Sequence, residues 1–310
     1  MYIRVSENCN SHCFMCHFAG TSNALNIGDE QYDKLLNHMK KKNYKMIRFT
    51  GGEPLLHKNI IEFIKKAKEI GVKASIITNG YLLPLYVDKL LKVGLDECII
   101  SLDGSCSEVH DSLRNFPGCF DNIIKGIKLL KEKDIIIRVN TVVSGKNISD
   151  ICNIYDLLIN LGVDQWSIIP VKCKENLWNE DSINYYREFV DKVKDSNDIK
   201  FLGYSKNFAG LSDEEIKDTF DNNSRLSIKD NCKVVDNVRF YIPDKDVLVP
   251  CNCVSHRLKE LPFSITGDME EVCEKIRLWL KENNSSCKCE PLNVYINDHP
   301  EIMDEDEILY

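Results

Sequence analysis

Long apolar runs are missing from this 310-residue sequence. No stretch approaches the roughly 20 consecutive apolar residues needed to span a bilayer, so no membrane partner is expected. A signal-peptide core is missing too: Met1-Tyr2-Ile3-Arg4-Val5 turns polar at Ser6, and the expected location is cytoplasmic. Excess positive charge is the third absence. Net charge is -8, whereas nucleic-acid binders usually carry a basic face, so no nucleic-acid partner is expected. There is also no internal repeat and no low-complexity linker. What remains is an ordinary globular composition, 43% hydrophobic and 28% charged, with room for one large domain and a smaller one.

Cysteine, by contrast, is abundant, with 14 residues unevenly placed. Cys9, Cys13 and Cys16 lie together, as do Cys232, Cys251, Cys253, Cys287 and Cys289, and the others are scattered. Reducing cytosol disfavours stable disulfides, so grouped thiols point to metal.

The first two-thirds of the chain alternates strand-like and helix-like segments. Short β-rich runs occur at Tyr2–Val5, Met46–Thr50, Ala74–Thr78, Cys98–Leu102, Ile135–Val143 and Gln165–Ile169. Between them, apolar residues recur at three- and four-residue spacing, as in Ile60, Ile61, Phe63, Ile64 and Ala67. This alternation predicts an α/β fold with a parallel sheet covered by helices. Both a doubly wound sheet and a partial barrel satisfy the pattern. In either, chemistry belongs at the C-terminal ends of the strands, where Gly51-Gly52-Glu53, Thr78-Asn79-Gly80 and Asp103-Gly104 fall.

Residues 1–195 therefore read as one α/β domain, 196–230 as an irregular bridging region, and 231–310 as a small second domain with an acidic tail. In that second domain, Val238–Ile242 and Val247–Val249 flank Pro243-Asp244-Lys245-Asp246 as a β-hairpin, and Met269–Leu280 is helix-like.

Cys9, Cys13 and Cys16 form C-x3-C-x2-C directly after the first strand. Three thiolates on one loop can hold three irons of a 4Fe–4S cluster, leaving the fourth iron without a protein ligand. The alternative is a structural zinc site, which needs a closed set of four ligands. His17 or a cysteine of the second group are the available fourth ligands.

This spacing after the first strand, followed by Gly51-Gly52-Glu53-Pro54 after the second, resembles the radical S-adenosylmethionine (SAM) superfamily over roughly residues 1–195. The resemblance implies a partial (β/α)6 barrel and an enzyme. In that family the open iron binds the amino and carboxylate groups of SAM, and electron transfer cleaves a sulfonium C–S bond to give a 5′-deoxyadenosyl radical that abstracts a substrate hydrogen. A reductant such as flavodoxin or ferredoxin is implied. Met15 stands where the family usually has an aromatic residue near the adenine; Phe14 is adjacent.

Site residues follow from the same resemblance. Gly51, Gly52 and Glu53 meet the methionine amino group. Ser101-Leu102-Asp103-Gly104 with His110-Asp111 and Arg114 resembles a subgroup with auxiliary clusters, in which the serine and the arginine contact the ribose and carboxylate of SAM. This chain carries one extra residue between them. An arginine suits a carboxylate because its planar fork donates two bonds. Thr78 and Asn79 are expected near adenine or ribose. Arg138 and Asn140 share one face of the fifth strand, pointing to SAM or substrate or forming a buried polar pair.

Cys232, Cys251, Cys287 and Cys289, with Cys253 as an alternate, resemble the short auxiliary-cluster domain called twitch, a reduced SPASM domain holding a second 4Fe–4S cluster. The late pair is C-x-C where C-x2-C is usual, Asp246 replaces an expected glycine, and zinc is the alternative occupant. Cys98 and Cys152 read as core residues. Cys173, after the sixth strand, is a candidate hydrogen-atom donor. The expected reaction is oxidation or bond formation on a small metabolite, of sugar or nucleoside type. Peptide or protein modification is the alternative, and a non-catalytic metal scaffold or redox sensor the alternative of another class.

Overall fold

A computed structural model describes residues 1–16, 18–22, 26–171, 179–203, 240–242 and 247–249. Strands β1 (Tyr2–Ser6), β2 (Met46–Gly51), β3 (Lys73–Thr78), β4 (Glu97–Ser101), β5 (Ile136–Val143), β6 (Gln165–Pro170) and β7 (Lys200–Gly203) lie side by side in chain order. Each of these neighbouring pairs is parallel. Among these seven strands the order never reverses, as it would at the topological switch point of a doubly wound sheet. The fold is the expected α/β partial barrel. It has one strand more than the sequence indicated, because β7 lies within the stretch read as a bridging region.

The crossovers are α1 (Asp29–Lys41), α2 (Ile60–Glu69), α3 (Leu83–Lys92), α4 (Ser107–Arg114) with α5 (Cys119–Lys131), α6 (Ile151–Leu161) and α7 (Glu180–Val193). Helix α2 shows why they settle as they do: Ile60, Phe63, Ile64 and Ala67 share one face and are all buried, while Lys65 and Glu69 face solvent. Among the described residues no helix is long and apolar enough to cross a membrane.

Side chains alternate across the sheet. Ile47 and Phe49, Ala74 and Ile76, and Ile137 and Val139 belong to the apolar core. The residues between them, Arg48, Ser75 and Arg138, occupy the opposite face, which lines the lumen. Register aligns Arg48 with Ser75, Ser75 with Glu97, Ile99 with Arg138, and Ser101 with Asn140. The lumen is therefore polar although it is walled by a sheet. At the N-terminal end, a cavity of about 490 Å³ is lined by Arg48, Glu97, Asp96 and Asp134 among others.

The hairpin read near residue 240 is present as β8 (Phe240–Ile242) and β9 (Val247–Val249), paired antiparallel. It also joins the main sheet: β8 pairs parallel with β1, matching Tyr2 with Phe240 and Ile3 with Tyr241. Strand β1 thus has neighbours on both sides, which removes a row of unpaired backbone groups. His17, Cys173, Cys232, Cys251, Cys253, Cys287, Cys289 and the run 269–280 lie outside the described residues.

Candidate active site

Strand β1 ends at Ser6, and the chain turns into a loop that carries the first three cysteines. The loop closes on itself: Cys9 N–H donates to Thr21 C=O at 2.9 Å, and Gly20 N–H donates to Ser11 C=O at 2.8 Å. Gly20, at φ +64°, leaves room for the His12 ring, which a Cβ would meet at 2.6 Å.

The loop rests on the end of β2. Gly52 N–H donates to Ser6 C=O at 2.8 Å, and Glu53 N–H donates to Asn8 C=O at 2.7 Å. A Cβ on Gly51 would lie 2.0 Å from Ser6 O, and one on Gly52 would lie 2.2 Å from Asn8 O. The two glycines are needed because the cysteine loop's own backbone passes against them. The sequence suggested the pair for ligand approach; the structure shows it seating the loop.

Glu53 is fully buried. Its carboxylate accepts from Leu55 N–H at 2.9 Å, Thr78 Oγ1 at 2.8 Å and Asn79 N–H at 2.7 Å. Burial pushes its pKa up to about 7 although these three donors pull it down. Thr78 and Asn79, expected near the adenosine, are brought beside Glu53 by these bonds. Asn79 also donates through Nδ2 to Asn10 Oδ1 at 2.8 Å, and its Oδ1 accepts from Tyr81 N–H at 3.0 Å. Cys119 Sγ donates to its carbonyl at 3.4 Å. These two residues bind the end of β3 to Glu53 and to the cysteine loop.

Helix α4 reaches the loop from the other side. The Arg114 carbonyl accepts from His12 N–H at 3.1 Å and Ser11 Oγ at 3.2 Å. The Arg114 guanidinium is ion-paired with Asp103 Oδ2 at 2.6 Å, and its Nη1 donates to Cys13 Sγ at 3.7 Å. Burial opposes the charge, but Asp103 and Cys13 more than offset it and raise the Arg114 pKa. Asp103 Oδ1 accepts from Val142 N–H at 2.8 Å. His110 Nδ1 accepts from Asp103 N–H at 3.0 Å, and burial, then Arg114, push the ring's pKa down to about 3, so it is neutral.

Cys13 is buried, Cys9 half-buried and Cys16 exposed. The Cys9 pKa is pushed up to about 11, mainly by burial and further by Glu53, Cys13 and Cys16. Among the described residues no three His, Cys, Asp or Glu side chains are closed on a single metal ion; the three thiols are neighbours without enclosing one another. The donor set still fits a cluster. Three thiolates this close repel one another, and iron bound across all three relieves that repulsion, since metal binding requires deprotonated thiols.

Ser101 ends β4 half-buried, beside Asn140 in register. Arg138 is fully buried and donates from Nε to Asn140 Oδ1 at 3.0 Å, which realises the buried polar pair. Phe14, part-exposed on the loop, lies under Lys146 Nζ at 4.3 Å. Asn10, Ser11, Cys119 and Lys146 were not identified from sequence. Asn10 and Ser11 stand inside the cysteine motif, which is a signal of position. Nothing local marks Cys119 or Lys146, whose partners are distant in the chain.

Comparison with known proteins agrees with this geometry. The AdoMet-dependent heme synthase of Methanosarcina barkeri is 30% identical over 161 residues, 51% of this chain and 46% of that protein. The probable GTP 3′,8-cyclase of Sulfurisphaera tokodaii is 31% identical over 203 residues, 62% of this chain and 64% of that protein. The chain thus spans about half the length of the heme synthase and under two-thirds of the cyclase. Streptococcus suis SuiB, solved bound to the precursor peptide SuiA, superposes with a TM-score of 0.66 at 16% identity over 95% of this chain and 65% of that one, a likeness of fold. The Radical SAM superfamily model matches residues 3–158, half of the chain and the part that contains the cysteine loop, so the chain belongs to the radical SAM superfamily.

Proposed function

We propose that this protein is a radical SAM enzyme acting on a small metabolite of sugar or nucleoside type, with a second, auxiliary 4Fe–4S cluster supporting oxidation or bond formation. The observation that carries the reading is the three-thiol loop, clamped between Gly52–Glu53 and Arg114 at the C-terminal mouth of the barrel. The names of the relatives support the small-metabolite class: one cyclises GTP and another makes heme.

When bound, the cluster and SAM supply the one-electron chemistry that removes a hydrogen atom from a substrate carbon. The protein's part is placement and exclusion of water. Cys9, Cys13 and Cys16 hold the cluster. Gly51, Gly52 and Glu53 keep the loop seated, and the Gly51–Gly52 backbone at that point is the surface offered to the amino group of SAM. Ser101 and Arg138 contact SAM or substrate from the lumen face. Cys232, Cys251, Cys287 and Cys289, with Cys253 as alternate, hold the auxiliary cluster. Cys173 is the proposed hydrogen-atom donor, and flavodoxin or ferredoxin the reductant.

Anaerobic reconstitution of the full chain, with iron and sulfide counted, tests this directly. The expected result is about eight irons per chain and dithionite-dependent formation of 5′-deoxyadenosine, lost in Cys13→Ala. Zinc alone, or SAM left intact, overturns the reading. Deuterium transfer into 5′-deoxyadenosine from labelled sugar nucleotides or nucleoside triphosphates, and not from peptides, supports the substrate class; transfer from peptides only overturns it.

A further inference from the structure

Lys146 is an exposed lysine whose backbone and ammonium are both held in place at the C-terminal mouth. We propose that Lys146 binds phosphate there, anchoring the phosphorylated end of the substrate across from the cysteine loop. The inference deepens the reading of a sugar- or nucleoside-type substrate and rests on it.

Lys146 follows β5, and its ammonium lies 4.3 Å from the centre of the Phe14 ring, on the loop that follows β1. Three strands separate β1 from β5 in the sheet, so this contact runs across the mouth and not along its wall. The backbone behind the lysine is fixed by Asn147, which is buried. Asn147 Oδ1 accepts from Ser144 N–H at 2.8 Å, and Nδ2 donates to the carbonyls of Asp103 and Val142, each at 2.9 Å. Lys146 N–H donates to Ser144 Oγ at 3.2 Å. Ordering a lysine side chain costs rotamer entropy on binding; with both ends already placed, less of that cost remains.

The chain carries a net charge of -8, yet among the described residues Lys146 forms no ion pair. The carboxylates on the surrounding elements are turned elsewhere. Glu7 meets Arg4 at 3.2 Å, and Asp103 meets Arg114 at 2.6 Å. Asp150 accepts from Ser105 N–H at 2.6 Å, Ser105 Oγ at 2.7 Å and Asn153 Nδ2 at 3.0 Å. The Phe14 face attracts the ammonium without neutralising it. An ammonium has three donors, and those not over the ring are open to an anion. It meets phosphate as a point charge, and a doubly charged phosphate is attracted more strongly than a single carboxylate.

The test is a phosphorus NMR relaxation titration of inorganic phosphate against the reconstituted, oxidised full chain holding SAM. Acetic anhydride footprinting of the lysines, read by mass spectrometry, accompanies it. Phosphate is expected to shield Lys146 from acetylation, and succinate to shield it less. Lys146→Gln should weaken phosphate binding about tenfold, the loss of one charge-assisted bond, and Lys146→Arg should restore most of it. Phe14→Leu keeps the charge and removes the ring, and should weaken binding about threefold. Unchanged phosphate binding in Lys146→Gln, or a wild-type Lys146 that phosphate does not shield, overturns the proposal. Better shielding by succinate overturns it as well, as does SAM affinity about tenfold lower in Lys146→Gln, which would assign the ammonium to the SAM carboxylate. No deuterium transfer from sugar nucleotides or nucleoside triphosphates would refute the underlying substrate reading instead, and phosphate binding, which needs no turnover, tells the two failures apart.

Discussion

Two buried arginine–carboxylate pairs stand at opposite mouths of the barrel. At the N-terminal mouth Arg48 meets Glu97 at 3.1 Å, and at the C-terminal mouth Arg114 meets Asp103 at 2.6 Å. Each arginine has a third partner, and there the two differ. Arg48 donates to the Tyr2 hydroxyl at 3.0 Å, a phenol from the adjacent strand. Arg114 donates to a thiol on a loop. The lower pair thus ties β1, β2 and β4 together, whereas the upper pair ties the end of α4 to the cysteine loop.

The largest expected effect that separates the two mouths comes from Gly52→Ala. Its Cβ would stand 2.2 Å from Asn8 O, so the cysteine loop has to leave its seat. Iron content after anaerobic reconstitution should fall to background while the far-ultraviolet circular dichroism stays close to wild type. Retention of wild-type iron would show that the loop does not need this seat.

Glu97→Ala comes next and acts at the lower mouth. It leaves the buried Arg48 charge without its carboxylate, which should cost about 3–5 kcal/mol in urea unfolding. Iron loading per folded molecule should be unchanged. Loss of loading in this variant would mean that the two mouths are not independent.

A smaller effect sharpens the role of Glu53. Its pKa is raised from 4.5 to about 7 in the folded state, so the native protein binds a proton that the unfolded chain releases. The contribution to stability is full below about pH 4.5 and is lost as pH rises through about 7. Urea midpoints of the iron-free chain should therefore carry a falling component between these values that Glu53→Gln lacks. An identical slope in the variant would place the titration elsewhere.

The smallest expected change is at the surface pair of Lys192 and Asp156, 2.6 Å apart between α7 and α6. Asp156→Ala should shift stability by less than about 1 kcal/mol, measured in the same urea series. It provides a scale for the buried pairs.

The strands and the cysteine motif were legible in the sequence because their signals are local: alternation, spacing and turn residues. The glycine pair was legible as well, but its physical reason was not. Close approach could be inferred from Gly51-Gly52; that the approaching group is the carbonyls of Ser6 and Asn8 depends on tertiary packing. Glu53 was read as part of the segment that meets the amino group of SAM; its acceptance from Leu55, Thr78 and Asn79 has no signal in the sequence. The Arg114 side chain finds its partners at Asp103, nearby in the chain, and at Cys13, about a hundred residues back. Pairing at that distance leaves no periodic trace. The same holds for β7, too short for its alternation to stand out, and for the pairing of β8 with β1.

That last pairing has a consequence for how the protein is made. Tyr2 meets Phe240 across the sheet, so the strand leading into the cysteine loop cannot complete its contacts until well over two hundred further residues have left the ribosome. Contacts so remote in sequence form late and slowly. Through most of synthesis the thiols are consequently carried on a strand with one edge still unpaired.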